Sequence, residues 1–374
     1  MRYYIIAGER SGDLHAGNLV KAIKLRDPSA TFRGFGGEHL QEAGVDIVVH
    51  YRDLAFMGLL EVLTNAGKIK KYIKKCREDI QQYNPDVIIL VDYGGFNLQI
   101  ARSGKKAGFK IFYYILPKYW AWYEKRASWL KPYVDKTFVI LPFEKEFFKR
   151  FDWEAEYVGN PVLDAVKVHV ADADFRSKHN LPPDKPCIAL LPGSRKQELE
   201  TIIPLMIEVV KRLPNQQFAV AAVNNLNQSW YKTISALPNV KLIFEDTYNL
   251  LLNSSAAIVT SGTATLETAL FRVPQIVVYK ANPVSYWLAK RLIKVEFISL
   301  VNLIAGKEVV KEMIQSKANV ENVTHELSRI VEDHTYAQQM KSEYDRIIKI
   351  LDTGSASENT ATLMVKYLNE KSPI

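Results

Sequence analysis

Short apolar runs alternate with helical patterns along most of this chain, and this alternation constrains the fold more than any other feature. In the first half the runs lie at residues 3–7, 31–35, 87–91, 110–115, 137–141 and 156–159. In the second half they lie at residues 188–191, 218–223, 241–244, 257–260 and 275–279. Strands that alternate with helices are typical of parallel sheets with helices on both faces. The sequence therefore predicts an α/β protein with doubly wound domains.

The length of 374 residues suggests two such domains. A boundary is predicted near residues 161–186, where Asn160-Pro161 ends one unit and the proline-rich stretch 181–186 leads into the next. We predict a first domain at 1–165, a second at 166–352, and a C-terminal helix within 353–374. This helix is expected to pack on the first domain or on a partner chain.

Composition narrows the class of protein but does not select a partner. The hydrophobic fraction of 48% is typical of a globular chain, and no apolar run is long enough to span a membrane. The first strand is too short to serve as a signal peptide, and Cys76 and Cys187 match no metal-binding spacing, which favours a reducing compartment. The net charge of +8 suits nucleic acid, anionic lipid or phosphorylated substrates.

The stretch 258–267, IVTSGTATLE, predicts a buried strand, a tight turn and a helix. Free N–H groups and the helix dipole at such a turn attract an anion, so Ser261, Gly262 and Thr263 are candidate phosphate ligands. Glu267, one helical turn later, is placed to accept hydrogen bonds from a sugar diol. The alternative is an ordinary strand-to-helix connection that is capped by a hydroxyl side chain.

A second turn of the same kind follows the apolar run 188–191, in the sequence LLPGSR. Gly193 permits a tight turn, and Ser194 is expected to cap a helix with Arg195 in its first turn. A cation is unfavourable at that end of a helix, so an arginine there suggests a bound anion that pairs with its planar fork. The alternative is a solvated surface arginine.

The first half offers candidate bases after two of its predicted strands. Asp92 follows the run 87–91, at the strand end where ligands bind in open α/β sheets, and is a candidate general base. The turn GERSGD adds Glu9 and Asp13 as candidate bases, and Ser11 and Gly12 as ligand contacts. Each acid could instead cap a helix or face solvent. His15 is a weaker candidate.

Two further segments suggest contacts with a substrate and with a membrane surface. The loop 116–126 combines four aromatic residues with three cations, and Trp120 is a candidate for stacking on a sugar or an acyl chain. The apolar stretch 55–63 precedes a lysine-rich stretch at 68–75, a pattern that suits the surface of a membrane. The alternative for both is packing within their own domain. The predicted membrane residues are Met57, Leu59, Leu60 and Leu63.

Eight motifs in this order resemble those of the lipid-A-disaccharide synthase family of GT-B glycosyltransferases. They cover about residues 7 to 312. The motifs are GERSGD at 8–13, MGLLEVL at 57–63, PDVIILVDYGGFN at 85–97, PKYWAWYEKR at 117–126, LPFEKEFF at 141–148, LLPGSRKQE at 190–198, SGTATLE at 261–267 and YWLAKRLIKVEFISLVNLIAGKEVVKE at 286–312.

The resemblance implies a GT-B fold, with two Rossmann-like domains that face a central cleft. It also implies an inverting transfer from UDP-2,3-diacylglucosamine to the 6-hydroxyl of 2,3-diacylglucosamine 1-phosphate (lipid X). Asp92 would be the base, Arg195 would bind the leaving diphosphate, and Asn302 would contact UDP beside the turn at 261–267. This chain departs from the family at Gly95, where a second Asp is frequent, and at Arg10, where Ala is common.

Paired carboxylates do not accompany the phosphate turns in the sequence, so we expect no metal and no cofactor. The resemblance also implies a cytoplasmic protein at the inner-membrane surface, and a homodimer through the C-terminal segment is a further option. The alternatives are a UDP-N-acetylglucosamine 2-epimerase, a glycosyltransferase of peptidoglycan precursors, or a non-catalytic nucleic-acid-binding protein. No nucleic-acid-binding signature supports the last of these.

Overall fold

The computed structural model of the protein describes residues 1–54, 66–121, 124–224, 226–281 and 295–370. Its backbone contacts divide the chain into two compact units. The first comprises Met1–Pro161 with Thr353–Ile374, and the second comprises Val162–Asp352. The described helices include none that is both long and apolar enough to cross a membrane.

The described residues of the first unit form a seven-stranded parallel sheet in the order β3-β2-β1-β4-β5-β6-β7. Strand β4 is buried along its whole length, and its neighbours β1 and β5 are buried beyond their first residue, which explains their near-continuous apolar sequences. The strands are β1 (Arg2–Ala7), β2 (Thr31–Gly36), β3 (Asp46–His50), β4 (Val87–Val91), β5 (Lys110–Tyr114), β6 (Lys136–Val139) and β7 (Glu156–Tyr157). The helices between them are α1 (Arg10–Arg26), α2 (Glu38–Glu42), α3 (Ala66–Tyr83), α4 (Gly94–Lys106), α5 (Arg126–Leu130) and α6 (Pro142–Lys149).

The described residues of the second unit form a six-stranded parallel sheet in the order β10-β9-β8-β11-β12-β13. The strands are β8 (Cys187–Leu191), β9 (Gln217–Ala222), β10 (Val240–Phe244), β11 (Ser254–Thr260), β12 (Gln275–Tyr279) and β13 (Glu312–Ile314). The helices are α7 (Pro161–Val168), α8 (Phe175–Lys178), α9 (Lys196–Arg212), α10 (Lys232–Ser235), α11 (Thr247–Leu252), α12 (Thr263–Leu270), α13 (Leu300–Ala305), α14 (Val320–Glu332) and α15 (His334–Leu351).

Each sheet reverses its strand order once, and these reversals fix where a ligand can bind. In the first unit the reversal lies between β1 and β4, and in the second it lies between β8 and β11. Ligands of open α/β sheets bind outside the carboxyl ends of the strands at such points. The turns after these four strands therefore hold the candidate sites, and they contain most of the residues that the sequence singled out.

The C-terminal helix α16 (Ala356–Asn369) packs on α1 of the first unit. Its Ala361 and Met364 are fully buried and join the apolar core around Tyr3 and Ile5 of β1. Arg26 also donates a hydrogen bond of 2.7 Å from Nε to Thr362 Oγ1. This packing returns the end of the chain to the unit in which the chain starts.

The sequence did not predict two edge strands, β3 and β13. Each pairs with one neighbour only, β2 for the first and β12 for the second. Their side chains are mostly half-buried, so neither shows the continuous apolar run that marks the central strands. The doubly wound α/β fold that the alternation predicts is nevertheless confirmed in both units.

Candidate active site

The turn after β11 offers backbone hydrogen-bond donors at the start of α12. Among the described residues, none accepts a hydrogen bond from the N–H groups of Gly262, Thr263 or Ala264. A Cβ added to Gly262 would meet no atom within 4 Å, so the turn is open at this point. These N–H groups and the positive end of the helix dipole suit a phosphate group.

Ser261 has a different role from the ligand contact that the sequence suggests. Its N–H donates to the Val278 carbonyl at 3.0 Å, and its Oγ donates to the Ile298 carbonyl at 3.0 Å. Both of its donors are therefore used within the second unit. Ser261 anchors the turn, and the N–H groups that follow it remain for an anion.

Glu267 lies half-buried one helical turn after Thr263. Burial raises the pKa of its carboxyl, while a hydrogen bond from the Tyr248 hydroxyl at 3.3 Å lowers it in part. The Tyr248 ring packs against Phe271, with ring centroids 5.0 Å apart. Glu267 is thus held in a fixed position, with acceptor capacity for the hydroxyl groups of a sugar.

The turn after β8 differs from the sequence prediction in its capping. Helix α9 starts at Lys196, so Arg195 is the extended N-cap residue, and Ser194 does not cap the helix. The Glu198 carboxylate accepts the N–H groups of Ser194 at 2.9 Å and of Arg195 at 3.2 Å. These two donors are therefore already satisfied by a side chain of the same helix.

Gly193 makes this arrangement possible. Its φ of +104° lies in the region that favours glycine, and a Cβ there would lie 2.2 Å from Glu198 Oε2. Arg195 is exposed, and no carboxylate of the described residues pairs with its guanidinium. The Arg195 side chain is therefore exposed at this turn, where the sequence predicts that it pairs with an anion.

Asn302 is fully buried, and its amide is used within the second unit. Its Nδ2 donates to the Val310 carbonyl and to Glu312 Oε1, each at 2.9 Å. Its Oδ1 accepts the N–H groups of Val309 at 2.7 Å and of Val310 at 3.0 Å. Asn302 thus fixes the connection between α13 and β13, in place of the direct contact with UDP that the resemblance implies.

Asp92 lies half-buried directly after β4, at the strand reversal of the first sheet. Burial raises the pKa of its carboxyl, and the charge of Lys118 and the N–H of Tyr93 lower it in part. The backbone of Asp92 is held firmly: its carbonyl accepts the Tyr113 hydroxyl at 2.6 Å and Asn97 Nδ2 at 2.7 Å. The helix-capping alternative fails, since Tyr93 is the N-cap residue of α4.

The backbone around Asp92 is strained. Asp92 has a φ of +45°, Tyr93 a φ of +50°, and the nearby Ile115 a φ of +60°. The N–H of Asp92 donates to the Ile115 carbonyl at 3.0 Å, so these residues are linked. Residues other than glycine rarely adopt this conformation, which costs about 1–3 kcal/mol each and is frequent at functional sites.

Asp13 is not placed to act as a base, contrary to the expectation from the sequence. It is fully buried, and its carboxylate accepts the N–H groups of Gly37 at 2.6 Å, His39 at 2.9 Å and Leu40 at 3.4 Å. It therefore holds the start of α2 from α1. A carboxylate with three backbone donors and no access to solvent is structural.

The other residues of the turn after β1 remain near the surface or enter α1. Glu9 is the half-buried N-cap residue of α1, and its charge contributes to the rise in the pKa of Tyr93 to about 12, after the larger effect of burial. Ser11 is exposed, whereas Gly12 is buried beside Val91. Burial lowers the pKa of His15 to about 4, which keeps its imidazole neutral.

Trp120 packs inside the first unit, contrary to the expected stacking on a substrate. It is 5% exposed, and its indole N–H donates to Glu144 Oε1 at 3.1 Å. Glu144 Oε2 accepts the N–H groups of Ile140 at 3.2 Å and Leu141 at 3.0 Å. Burial raises the pKa of the Glu144 carboxyl to about 7, although these donors and the charge of Lys118 oppose the rise.

The predicted membrane residues Met57, Leu59, Leu60 and Leu63 lie outside the described residues. The lysine-rich stretch that follows them is described, and it belongs to α3. On one side of this helix Cys76 and Ile80 are buried. The helix also carries five exposed lysines: Lys68, Lys70, Lys71, Lys74 and Lys75. Within the described ranges, no group of three or more His, Cys, Asp or Glu residues is placed to hold a metal ion.

Sequence reasoning missed three acidic residues that bind backbone N–H groups at the start of a helix, namely Glu144, Glu198 and Glu312. Each lies within or close to a motif that the sequence analysis quoted. Glu198 and Glu144 stand three residues after the N-cap residues of α9 and α6, a spacing that is typical of side chains that bind N-cap N–H groups. Glu312 has no such local signal, because its partners lie 10 to 14 residues earlier.

Comparison with protein families places nearly the full length of the chain in one family. The family described as Lipid-A-disaccharide synthetase matches residues 3–365. The lipid-A-disaccharide synthase of Syntrophus aciditrophicus is 38% identical over 373 residues, which cover 98% of this chain and 97% of the relative. The enzyme of the same name from Coxiella burnetii is 34% identical over 364 residues, with 96% of each chain covered.

Solved structures with the same architecture include UDP-sugar enzymes. The S. aureus MnaA–UDP structure has a TM-score of 0.70 at 16% identity and covers 100% of this chain and 98% of that chain. UDP-GlcNAc 2-epimerase from Neisseria meningitidis, bound to UDP-GlcNAc, has a TM-score of 0.68 at 13% identity, with 99% and 100% covered. At this low identity the likeness shows the GT-B fold alone.

Proposed function

The chain belongs to the lipid-A-disaccharide synthase family of glycosyltransferases, and from this premise we propose how its two units divide the reaction. The donor is UDP-2,3-diacylglucosamine, and the acceptor is 2,3-diacylglucosamine 1-phosphate (lipid X). The products are the β-1′,6-linked disaccharide 1-phosphate and UDP. The second unit binds the nucleotide, and the first unit supplies the base.

The open N-terminal turn of α12 is the observation that carries this proposal. Three successive N–H groups at 262–264 have no acceptor among the described residues, and Glu267 is fixed one turn away. Phosphate and ribose hydroxyl groups fit this pairing of donors with an acceptor. Arg195, at the other turn of the same strand reversal, adds a bidentate charge for the leaving diphosphate.

In the first unit, Asp92 takes the proton from the acceptor's 6-hydroxyl group. That oxygen forms a bond to the anomeric carbon of the donor as the bond from this carbon to the diphosphate oxygen breaks. Attack in line inverts the configuration from α to β, and UDP leaves with the electron pair. The N–H groups of the turn and Arg195 stabilise the charge that develops on UDP.

Residues of the chain alone suffice for this mechanism, so we propose that it needs no metal or cofactor. Activity should persist in the presence of EDTA at a concentration that removes free Mg²⁺ and Mn²⁺. Loss of activity with EDTA, and recovery with either ion, would contradict this part of the proposal.

A UDP-release assay with both acylated substrates tests the reaction, with the disaccharide identified by mass spectrometry. The control reaction contains UDP-N-acetylglucosamine alone, because an epimerase would convert this soluble sugar. UDP release that depends on lipid X supports the transferase. Conversion of the soluble sugar, or UDP release without disaccharide, would overturn it.

We propose that the cytoplasmic protein binds the inner-membrane surface through α3 and the segment before it. The five exposed lysines of α3 supply the charge, at about 1 kcal/mol for each contact with an anionic lipid surface. Met57, Leu59, Leu60 and Leu63 would supply the apolar part of the contact. Co-sedimentation with anionic vesicles should fall for a Lys→Glu variant at 68, 70 and 71, and equal binding to zwitterionic vesicles would contradict the charge contribution.

A homodimer through the C-terminal segment stays a prediction. Since α16 buries Ala361 and Met364 against its own chain, such a dimer would use the outer side of this helix. Sedimentation equilibrium tests it. A monomer at micromolar concentration would rule out a stable dimer, and a dimer that Glu358→Lys weakens would support it.

A further inference from the structure

Glu312 is the first residue of the edge strand β13 in the second sheet. It is in register with Val277 of β12, and Val278, the next residue, is in register with Thr260 of β11. Ser261, the first residue of the phosphate turn, donates its N–H to the Val278 carbonyl. Glu312 is therefore separated from the turn by one strand only.

The carboxylate of Glu312 accepts four hydrogen bonds from the segment that leads into α13. Oε2 accepts the N–H of Ile298 at 2.9 Å, and Oε1 accepts the N–H of Ser299 at 2.9 Å. Oε1 also accepts the Ser299 hydroxyl at 2.7 Å and Asn302 Nδ2 at 2.9 Å. Both carboxylate oxygens act as acceptors here, and all four groups donate to them.

The same segment contacts the phosphate turn. The Ser261 hydroxyl donates to the Ile298 carbonyl at 3.0 Å, while the Ile298 N–H donates to Glu312. Ile298 thus links Ser261 to Glu312, because its carbonyl binds the first and its N–H binds the second. Ser299 is fully buried, and its hydroxyl also accepts the Asn302 N–H at 3.3 Å.

We propose that Glu312 is a positioning residue for the phosphate turn and acts through Ile298 and Ser261. This inference rests on the proposed role of residues 262–264 in binding the diphosphate. The carboxylate holds residues 298–302 against β13, and the Ile298 carbonyl in turn holds Ser261 at the entrance of the turn. A loosened segment would release Ser261 and misalign the three N–H groups that follow it.

A double-mutant cycle tests this role, with the affinity for UDP as the readout. Glu312→Gln keeps the shape of the side chain but turns an amide NH2 group toward the donors. It should raise the Kd of UDP about 3- to 30-fold, the range for residues that act through a network. Ser261→Ala should raise the Kd by less. In the double variant the two effects should not multiply, because the path to the turn is already broken.

Three controls separate this role from general stability and from the phosphate site itself. Glu326→Gln alters another buried carboxylate of the same unit, which binds the Tyr336 hydroxyl, and it should leave the Kd unchanged. Thr263→Pro removes one N–H of the turn itself. Thermal unfolding of each variant shows whether the unit is intact. If Glu312→Gln does not fold, Ser299→Ala replaces it in the cycle.

Distinct results overturn the two proposals. A folded Glu312→Gln protein with unchanged UDP affinity, or effects that multiply in the double variant, would overturn the positioning role alone. An unchanged Kd for Thr263→Pro would instead overturn the phosphate site on which this role rests. The positioning role is supported if Glu312→Gln raises the Kd of UDP in the wild-type background but adds little in the Ser261→Ala background. The Kd of Glu326→Gln should then equal that of the wild-type protein.

Discussion

The Tyr113 hydroxyl donates a hydrogen bond of 2.6 Å to the main-chain carbonyl of Asp92. This bond joins the residue after β4 to the neighbouring strand β5. Asn97 binds the same carbonyl, so the main chain is fixed from both sides while the carboxylate stays half-buried. A base gains from such support, because its position relative to the acceptor hydroxyl then varies little.

Asp92→Asn should abolish most of the turnover and leave the affinity for UDP nearly intact. Loss of a general base costs about 10²–10⁴ in rate, whereas the proposed nucleotide contacts belong to the other unit. Steady-state rates and UDP titration measure the two effects. The matched variant is Glu9→Gln, which alters the carboxylate after β1 and should cost far less. Normal turnover of Asp92→Asn with an inactive Glu9→Gln would move the base to Glu9.

Lys118→Met should shift the acidic limb of the pH–rate profile toward higher pH. The lysine lowers the pKa of Asp92, so its removal raises that pKa, and the base then ionises only at a higher pH. The profile of kcat/KM against pH measures this shift. Lys125→Met is the control, because Lys125 is an exposed cation of the same region. Identical pH–rate profiles for Lys118→Met and Lys125→Met would show that Lys118 does not influence the pKa of the base.

Arg195→Ala should weaken UDP binding and slow the reaction together, because the proposed phosphate contact of the guanidinium is present in the ground state and the transition state. The loss of a charge-assisted hydrogen bond corresponds to about 1.5–3 kcal/mol. Arg195→Lys should recover little, since a point charge does not replace a bidentate fork. Lys196→Ala controls for the loss of an exposed charge. Full activity of Arg195→Lys would show that Arg195 contributes only its positive charge and not the bidentate geometry of its guanidinium.

The sequence predicted which strand ends carry the candidate residues better than it predicted the direction of their side chains. Asp92 and the turn at 261–264 do follow strands at the two reversals, because the β/α alternation determines which strand ends come together. Asp13 follows β1 and Trp120 follows β5, yet both side chains are buried. Whether a polar side chain faces a ligand or a neighbouring helix depends on tertiary packing, which the local pattern does not contain.

Long-range hydrogen bonds explain the remaining differences. Asn302 and Glu312 bind each other across the connection between α13 and β13, and neither gives a local signal of this contact. Glu198 could have been predicted, since its spacing from Arg195 matches a capping position. That one interaction would have indicated that the N–H groups of Ser194 and Arg195 in the turn after β8 are already used.

Thr263→Pro should weaken UDP binding without breaking α12. Thr263 is the first residue of the helix, where proline is tolerated, so the substitution removes one donor and little else. The expected cost is about 1.5–3 kcal/mol for a bond to a charged group. Thr263→Ala keeps the N–H and removes the hydroxyl, so it distinguishes backbone from side-chain recognition. If the alanine variant loses as much affinity as the proline variant, the hydroxyl is the ligand.

Glu144→Gln should flatten the dependence of stability on pH. The pKa of this buried carboxyl is about 7 in the folded protein, above the ordinary value of 4.5, so the folded state binds its proton more tightly than the unfolded state. The contribution to stability is therefore complete below pH 4.5 and is lost as the pH rises through 7, at up to about 1.4 kcal/mol per pH unit.

Denaturant unfolding at a series of pH values measures this slope. The glutamine variant keeps the size of the side chain but does not titrate, and Glu146→Gln on the exposed side of α6 is the control. Equal slopes for the wild-type protein and Glu144→Gln would show that the Glu144 carboxyl keeps an ordinary pKa, and that Trp120 binds an ionised carboxylate throughout this range.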